Sequence, residues 1–92
     1  PAATTLVDDI TKAAKSIEVE DASGLTAKTY IDIGEEELFI KTISGNKLTV
    51  LRGQDNTTAA EHLRGAEIFV IDSADDALIE EGDDFGFSGS IF

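Results

Sequence analysis

Between Leu48 and Ile68 the chain reads LTVLRGQDNTTAAEHLRGAEI, and this stretch restricts the fold more than any other. It begins as a strand whose alternation puts Leu48, Val50 and Arg52 on one face and Thr49 and Leu51 on the other. It breaks at Gly53, crosses a polar turn from Gln54 to Thr58, and passes the small step Ala59-Ala60. It then reaches the only histidine, His62, and a second glycine, Gly65, before the strand pattern resumes at Ala66. Two β runs joined by a long, glycine-bracketed loop call for an antiparallel sheet and for a loop of defined shape.

The remaining strands follow from alternation and β propensity. Residues 16–20 (SIEVE) alternate polar and apolar, and residues 29–34 (TYIDIG) are rich in β-formers. A tight step, Gly34-Glu35-Glu36, leads into a strand over 37–43, and Ser44-Gly45-Asn46-Lys47 makes a hairpin turn into the strand at 47–51. With 66–71 this gives five or six short strands separated by turn signals. The expected fold is all-β, a small antiparallel barrel or sandwich with extended terminal arms. Three parts are expected: an N-terminal arm or short helix over 1–15, a β-domain over 16–71, and an acidic, Phe-rich C-terminal arm over 72–92. A helix over 9–15 would have Asp9 as its cap. A second short helix is readable from Ser73 to Gly82.

Charge excludes some functions. Nineteen acids against seven bases leave a net −12, which would repel phosphate backbones and anionic lipid surfaces. Neither nucleic acid nor membrane is an expected partner. All seven bases and twelve acids lie in residues 1–71, whereas residues 72–92 carry seven acids and no base. No apolar run approaches the roughly 20 residues that span a bilayer, and no basic-apolar leader is present, so a soluble protein made inside a cell is expected.

Chemistry is scarce in this sequence. Cysteine is absent, a lone His62 provides too few ligands for zinc, and the acidic runs lack the spacing of a calcium loop. Glu35-Glu36-Glu37 reads as a solvated acidic turn. No nucleophile elbow occurs, so no catalytic residue, cofactor or metal site is assigned. Arg52 and His62 instead suit the task of tying down the loop, with Asp55 as a partner, because a guanidinium can hold several carbonyls or a carboxylate at once. Arg52, Gly53, Asp55, Thr58, His62 and Gly65 are the expected loop-structuring residues. Leu6 and Val7, with Phe85, Phe87, Ile91 and Phe92, are the expected contacts to other chains. Of the body aromatics Tyr30, Phe39 and Phe69, the two phenylalanines are expected in the core.

From Lys15 to Ile71 the order of motifs resembles a β-module recurrent in tailed-bacteriophage virion proteins. These motifs are S-I-E-V, D-A-S-G-L, Y-I-D-I-G, E-L-F-I, S-G-N-K-L-T-V and L-R-G-Q-D-N-T-T-A-A-E-H-L-R-G-A-E-I. The module's pattern is s-g-n-x-L-t-v-x-R-G-x-x-g-T-x-A-x-x-H-x-x-G after a strand with an I-x-I-g-x-E step. The positions carried over are Gly34, Glu37, Arg52, Gly53, Thr58, Ala60, His62 and Gly65. Asn56 departs from the pattern's glycine, and asparagine tolerates the positive φ required there. The resemblance implies assembly rather than catalysis. It favours a capsid decoration protein in the virion, made in the host cytoplasm, acting as a homo-oligomer such as a trimer, with the major capsid protein as partner. The alternative is a tail, baseplate or neck adaptor that binds tail or baseplate subunits. A carbohydrate-binding module and an acidic mimic are weaker readings.

Overall fold

The computed structural model describes residues 1–71. It is all-β: β1 (Thr4–Thr5), β2 (Ser16–Glu18), β3 (Tyr30–Ile33), β4 (Glu36–Ser44), β5 (Lys47–Gln54) and β6 (Glu67–Val70), with one 3-10 turn at Ala22–Gly24. The sheet order is β1-β6-β3-β4-β5-β2, and every pairing is antiparallel. The sheet curls until its two outer strands meet. Leu6 bridges Val19, the Val7 N–H donates to the Glu18 carbonyl at 3.2 Å, and the Glu20 N–H donates to the Thr5 carbonyl at 2.9 Å. These bonds close a small barrel and use the edges that an open sheet would leave unpaired.

The long hairpin β4–β5 is the spine. Ser44 pairs with Lys47 around the two-residue turn, and Gly45 sits at φ +62, a conformation that favours glycine. Asn46 does more than turn the chain. Its carbonyl accepts from the Val19 N–H at 2.9 Å, and its Oδ1 accepts from the Ala22 N–H at 2.9 Å. The hairpin tip is thereby clipped to the segment after β2. Register shifts in β4, between Glu37 and Phe39 and between Ile40 and Thr42, bend the strand around the barrel.

Inward residues alternate as the sequence predicts. Ile31 and Ile33 on β3, Leu38 and Ile40 on β4, Leu48 and Val50 on β5, and Ile68 on β6 are buried together with Ile17 and Val19. Burying a side chain of this size stabilises by about 1.5–3 kcal/mol, so this cluster is the main source of folding energy.

The N-terminal segment departs from the expectation of an arm or a short helix. Thr4–Thr5 pairs with β6, and Leu6 and Ile10 are core residues at 1% and 8% exposure. Residues 9–15 form turns rather than a helix. Asp9 does not cap a helix either; its Oδ1 accepts the Arg64 N–H at 2.8 Å across the fold. Seven residues are too few for a stable isolated helix. The backbone here is satisfied instead by Ile10 bonding to His62, by Arg52 reaching the Thr11 and Ala14 carbonyls, and by the Val50 N–H donating to the Lys15 carbonyl. The β-domain therefore begins at the N-terminal residues and not at 16. Phe39 and Phe69 lie on the outside of the barrel, because both occupy outward positions of their strands; Phe69 is 38% exposed, and Phe39 is half-buried against Tyr30 with ring centroids 5.0 Å apart. The expected helix over 73–82 and the aromatic positions Phe85, Phe87, Ile91 and Phe92 lie outside the described residues.

Candidate functional site

At one end of the barrel the inward columns of the spine turn from apolar to charged. Ile40 and Leu38 on β4 are followed by Glu36, and Leu48 and Val50 on β5 by Arg52. The Glu36 and Arg52 side chains are 1% and 8% exposed. They meet side by side: Arg52 Nε donates to Glu36 Oε2 at 2.8 Å, and Nη2 donates to Oε1 at 2.9 Å. The remaining Arg52 donors go to backbone. Nη1 reaches the Thr11 and Ala14 carbonyls at 2.8 and 2.9 Å, and Nη2 reaches the Ala60 carbonyl at 2.6 Å. All five N–H groups of the fork thus have acceptors.

Glu36 is equally occupied. Its Oε2 also accepts the Gly53 N–H at 2.9 Å, and its Oε1 accepts the Ala60 N–H at 3.0 Å and faces His62 Nε2 at 2.8 Å. A nitrogen this close to a carboxylate oxygen acts as a donor. Burial alone pushes the Glu36 carboxyl up, but the bonds from Arg52, His62, Ala60 and Gly53 outweigh it and bring the carboxyl from 4.5 down to about 2. An isolated buried carboxylate would be prohibitive; five donors make this one tolerable.

This cluster fixes the loop between β5 and β6. Gly53 has φ +56, and a Cβ there would stand 3.1 Å from the Ala59 nitrogen and 3.2 Å from the Thr57 carbonyl oxygen. Asp55 and Asn56 follow at φ 56 and 65, and the Thr57 N–H closes the turn onto the Gln54 carbonyl at 3.0 Å. Asn56 thus adopts the positive φ expected of it. Thr57 Oγ1 donates to the Gln54 carbonyl at 2.6 Å and accepts the Glu37 N–H at 3.0 Å. His62 exchanges backbone bonds with Ile10, at 2.8 and 3.1 Å, and its ring lies against Gly34, whose φ is +61. Gly65, at φ +90, donates to the Leu6 carbonyl at 2.8 Å.

Arg52, Gly53, His62 and Gly65 therefore structure the loop as the sequence predicts. Three assignments need correction. The partner of Arg52 is Glu36, not Asp55, because Asp55 stands exposed at the turn tip while Glu36 occupies an inward strand position. Glu36 is thus no part of a solvated acidic turn. Thr57, not Thr58, carries the side-chain bonds, and Thr58 is exposed. Ala60 serves through its backbone, whereas Ala59 is the small residue packed against Gly53. The sequence held the signal. I-x-I-g-x-E counted from Ile31 lands on Glu36, and R-G-x-x-g-T-x-A counted from Arg52 lands on Thr57 and Ala59; the carried-over Glu37, Thr58 and Ala60 are each one residue late.

Leu6 is withdrawn from the expected inter-chain contacts, since it fills this chain's own core; Val7 remains half-buried beside it. Glu37 faces outward, opposite Asp32. Burial raises its carboxyl pKa, and Asp55 and Asp32 raise it further. Among the described residues no three histidine or carboxylate side chains converge on a point that could hold a metal ion. No helix among them is long and apolar enough to cross a membrane. The donors and acceptors of Arg52 and Glu36 are spent on each other, on His62 and on backbone, so the arrangement works as a fastener. No family model matches this sequence, and no curated protein matches it.

Proposed function

We propose that this chain is a non-enzymatic structural subunit of a tailed-phage virion, acting as a capsid decoration protein. The observation that carries the reading is the saturated Glu36–Arg52–His62 cluster. The most distinctive residues of the sequence are all consumed in making a rigid loop on a closed barrel, as a particle component requires and a reaction centre does not. The residues of the virion-module pattern, counted from Ile31 and Arg52, are the residues that build the cluster and its turn. The barrel also presents partly exposed Tyr30, Phe39, Leu51 and Phe69 on its outer surface, a face suited to other virion subunits.

The test is co-sedimentation of the purified chain with naked capsids of the parent virus. Binding that saturates at a fixed number of copies per capsid supports the proposal. A stable homo-oligomer that ignores capsids but binds isolated tails or baseplates moves the chain to the adaptor reading. Binding to neither particle sinks both.

A further inference from the structure

We propose that the outward face of β3, β4 and β5 is a self-association surface, on which a second copy of this chain docks around Phe39. Tyr30, Phe39 and Leu51 are partners in register across the three strands and form an apolar row on the outside of the barrel. Tyr30 and Phe39 touch, with ring centroids 5.0 Å apart, and Leu51 is 43% exposed. Phe69, 38% exposed, extends the apolar surface onto β6, where it stands opposite Asp32. Aromatic side chains held on a rigid sheet suit the centre of a protein interface.

Charge identifies the occupant. Glu37 lies two residues before Phe39 on β4 and stands directly opposite Asp32 on β3, so two acids meet on one side of the row. Lys41 lies two residues after Phe39, and Lys12 and Lys15 join it around a groove at the Leu51 end. The ion pairs among the described residues are those of Glu36 with Arg52 and His62, so neither set is neutralised there. Like charges opposite each other on neighbouring strands are destabilising. A two-fold axis lying in the contact plane over Phe39 sets the acids of each copy against the lysines of the other, and Phe39 against its counterpart. The face is thus its own complement, as an isologous contact requires. A different partner would need acidic, apolar and basic bands of its own in matching order; a second copy has them by symmetry. The net charge of −12 opposes association. At physiological salt it is screened beyond about 8 Å, so the facing groups decide. The patch spans roughly 15 Å each way, at the small end of specific interfaces, so the dimer is reversible. Such pairing goes beyond the assembly reading and does not rest on it, since register and charge alone carry it.

The test is sedimentation equilibrium on the full chain, carried up to about 1 mM, where even a weak specific dimer is populated. The parent should pass from monomer to dimer across that range. Lys12→Glu, Lys15→Glu and Lys41→Glu together make both sides of the row acidic; Asp32→Lys and Glu37→Lys together make both sides basic. Each of these two variants, checked for folding by circular dichroism, should associate about a hundredfold more weakly, since like charges then meet across the contact. Their equimolar mixture should form a heterodimer, a recovery that loss of folding cannot imitate. Leu51→Ser, at an exposed position, should weaken association without lowering stability. A parent that stays monomeric overturns the proposal and leaves the face to a different protein. So does a dimer that both charge reversals leave intact, a trimer, or a mixture that stays monomeric.

Discussion

Glu36 and Arg52 pair side by side at the closed end of the barrel, with two nitrogen–oxygen contacts of 2.8 and 2.9 Å and almost no exposure to water. Removing one partner leaves the other charged and buried, which costs about 3–5 kcal/mol. Arg52→Leu and Glu36→Leu should each lower stability by that amount in urea unfolding followed by circular dichroism. The double variant should recover part of the loss but not all of it. Without Glu36 the Gly53 and Ala60 N–H groups lose their acceptor, and without Arg52 the Ala14 and Ala60 carbonyls lose its guanidinium as donor. A double variant as stable as the parent would show that the pair contributes nothing net.

Stability should fall in acid chiefly through the Glu36 carboxyl, with the exposed Asp21, held below the usual carboxylate range by its hydrogen bonds with Ser23, acting in the same sense. The folded pKa of Glu36, about 2, lies below the ordinary 4.5, so its contribution is complete above 4.5 and is lost as pH falls toward 2. The full contribution is about 3 kcal/mol. Asp32 and Glu37 act in the opposite sense, because burial raises both; they favour the folded state when protonated. Urea midpoints measured between neutral pH and pH 2 should drop steeply in the parent. Glu36→Gln should be weaker at neutral pH and nearly flat across that window.

Gly53 meets two constraints and Gly45 only one. Both have positive φ, but a Cβ at Gly45 meets open space, whereas at Gly53 it presses on backbone atoms of Thr57 and Ala59. Gly45→Ala should cost about 1–2 kcal/mol, the conformational penalty alone. Gly53→Ala should cost more, because backbone cannot swing aside as a side-chain tip can. Equal losses in thermal unfolding would show that the loop yields.

Thr57 and Thr58 provide a matched pair. Thr57→Val removes the acceptor of the Glu37 N–H and the donor to Gln54, a loss of about 1–3 kcal/mol. Thr58→Val on the exposed neighbour should stay within about 0.5 kcal/mol of the parent. Hydrogen exchange at the Glu37 amide provides a local readout, accelerated by the first change only.

The strands were legible because their alternation is set by burial, and Leu48, Val50 and Arg52 do share the inward face. That Arg52 and His62 tie down the loop was legible too, since an arginine precedes, and the chain's only histidine follows, a long polar turn. The partner was harder to see. Glu36 lies in a run of three glutamates whose composition suggests solvent, and only its place in the β4 alternation, two residues before Leu38, marks it as inward. The N-terminal segment was misread for a related reason. Thr4–Thr5 is too short to announce itself, and its partner β6 lies near the other end of the described chain. No local pattern records a pairing of that range.

That same pairing orders events in time. β1 is made before the other five strands, yet it has nothing to pair with until β6 has been made. The bridge between Leu6 and Val19 forms a ring only after the β6–β3–β4–β5–β2 strands are aligned. Such long-range closure slows folding relative to chains dominated by local contacts. The β4–β5 hairpin is the natural early unit, and β1, though made before the other five strands, is the last stave set in place.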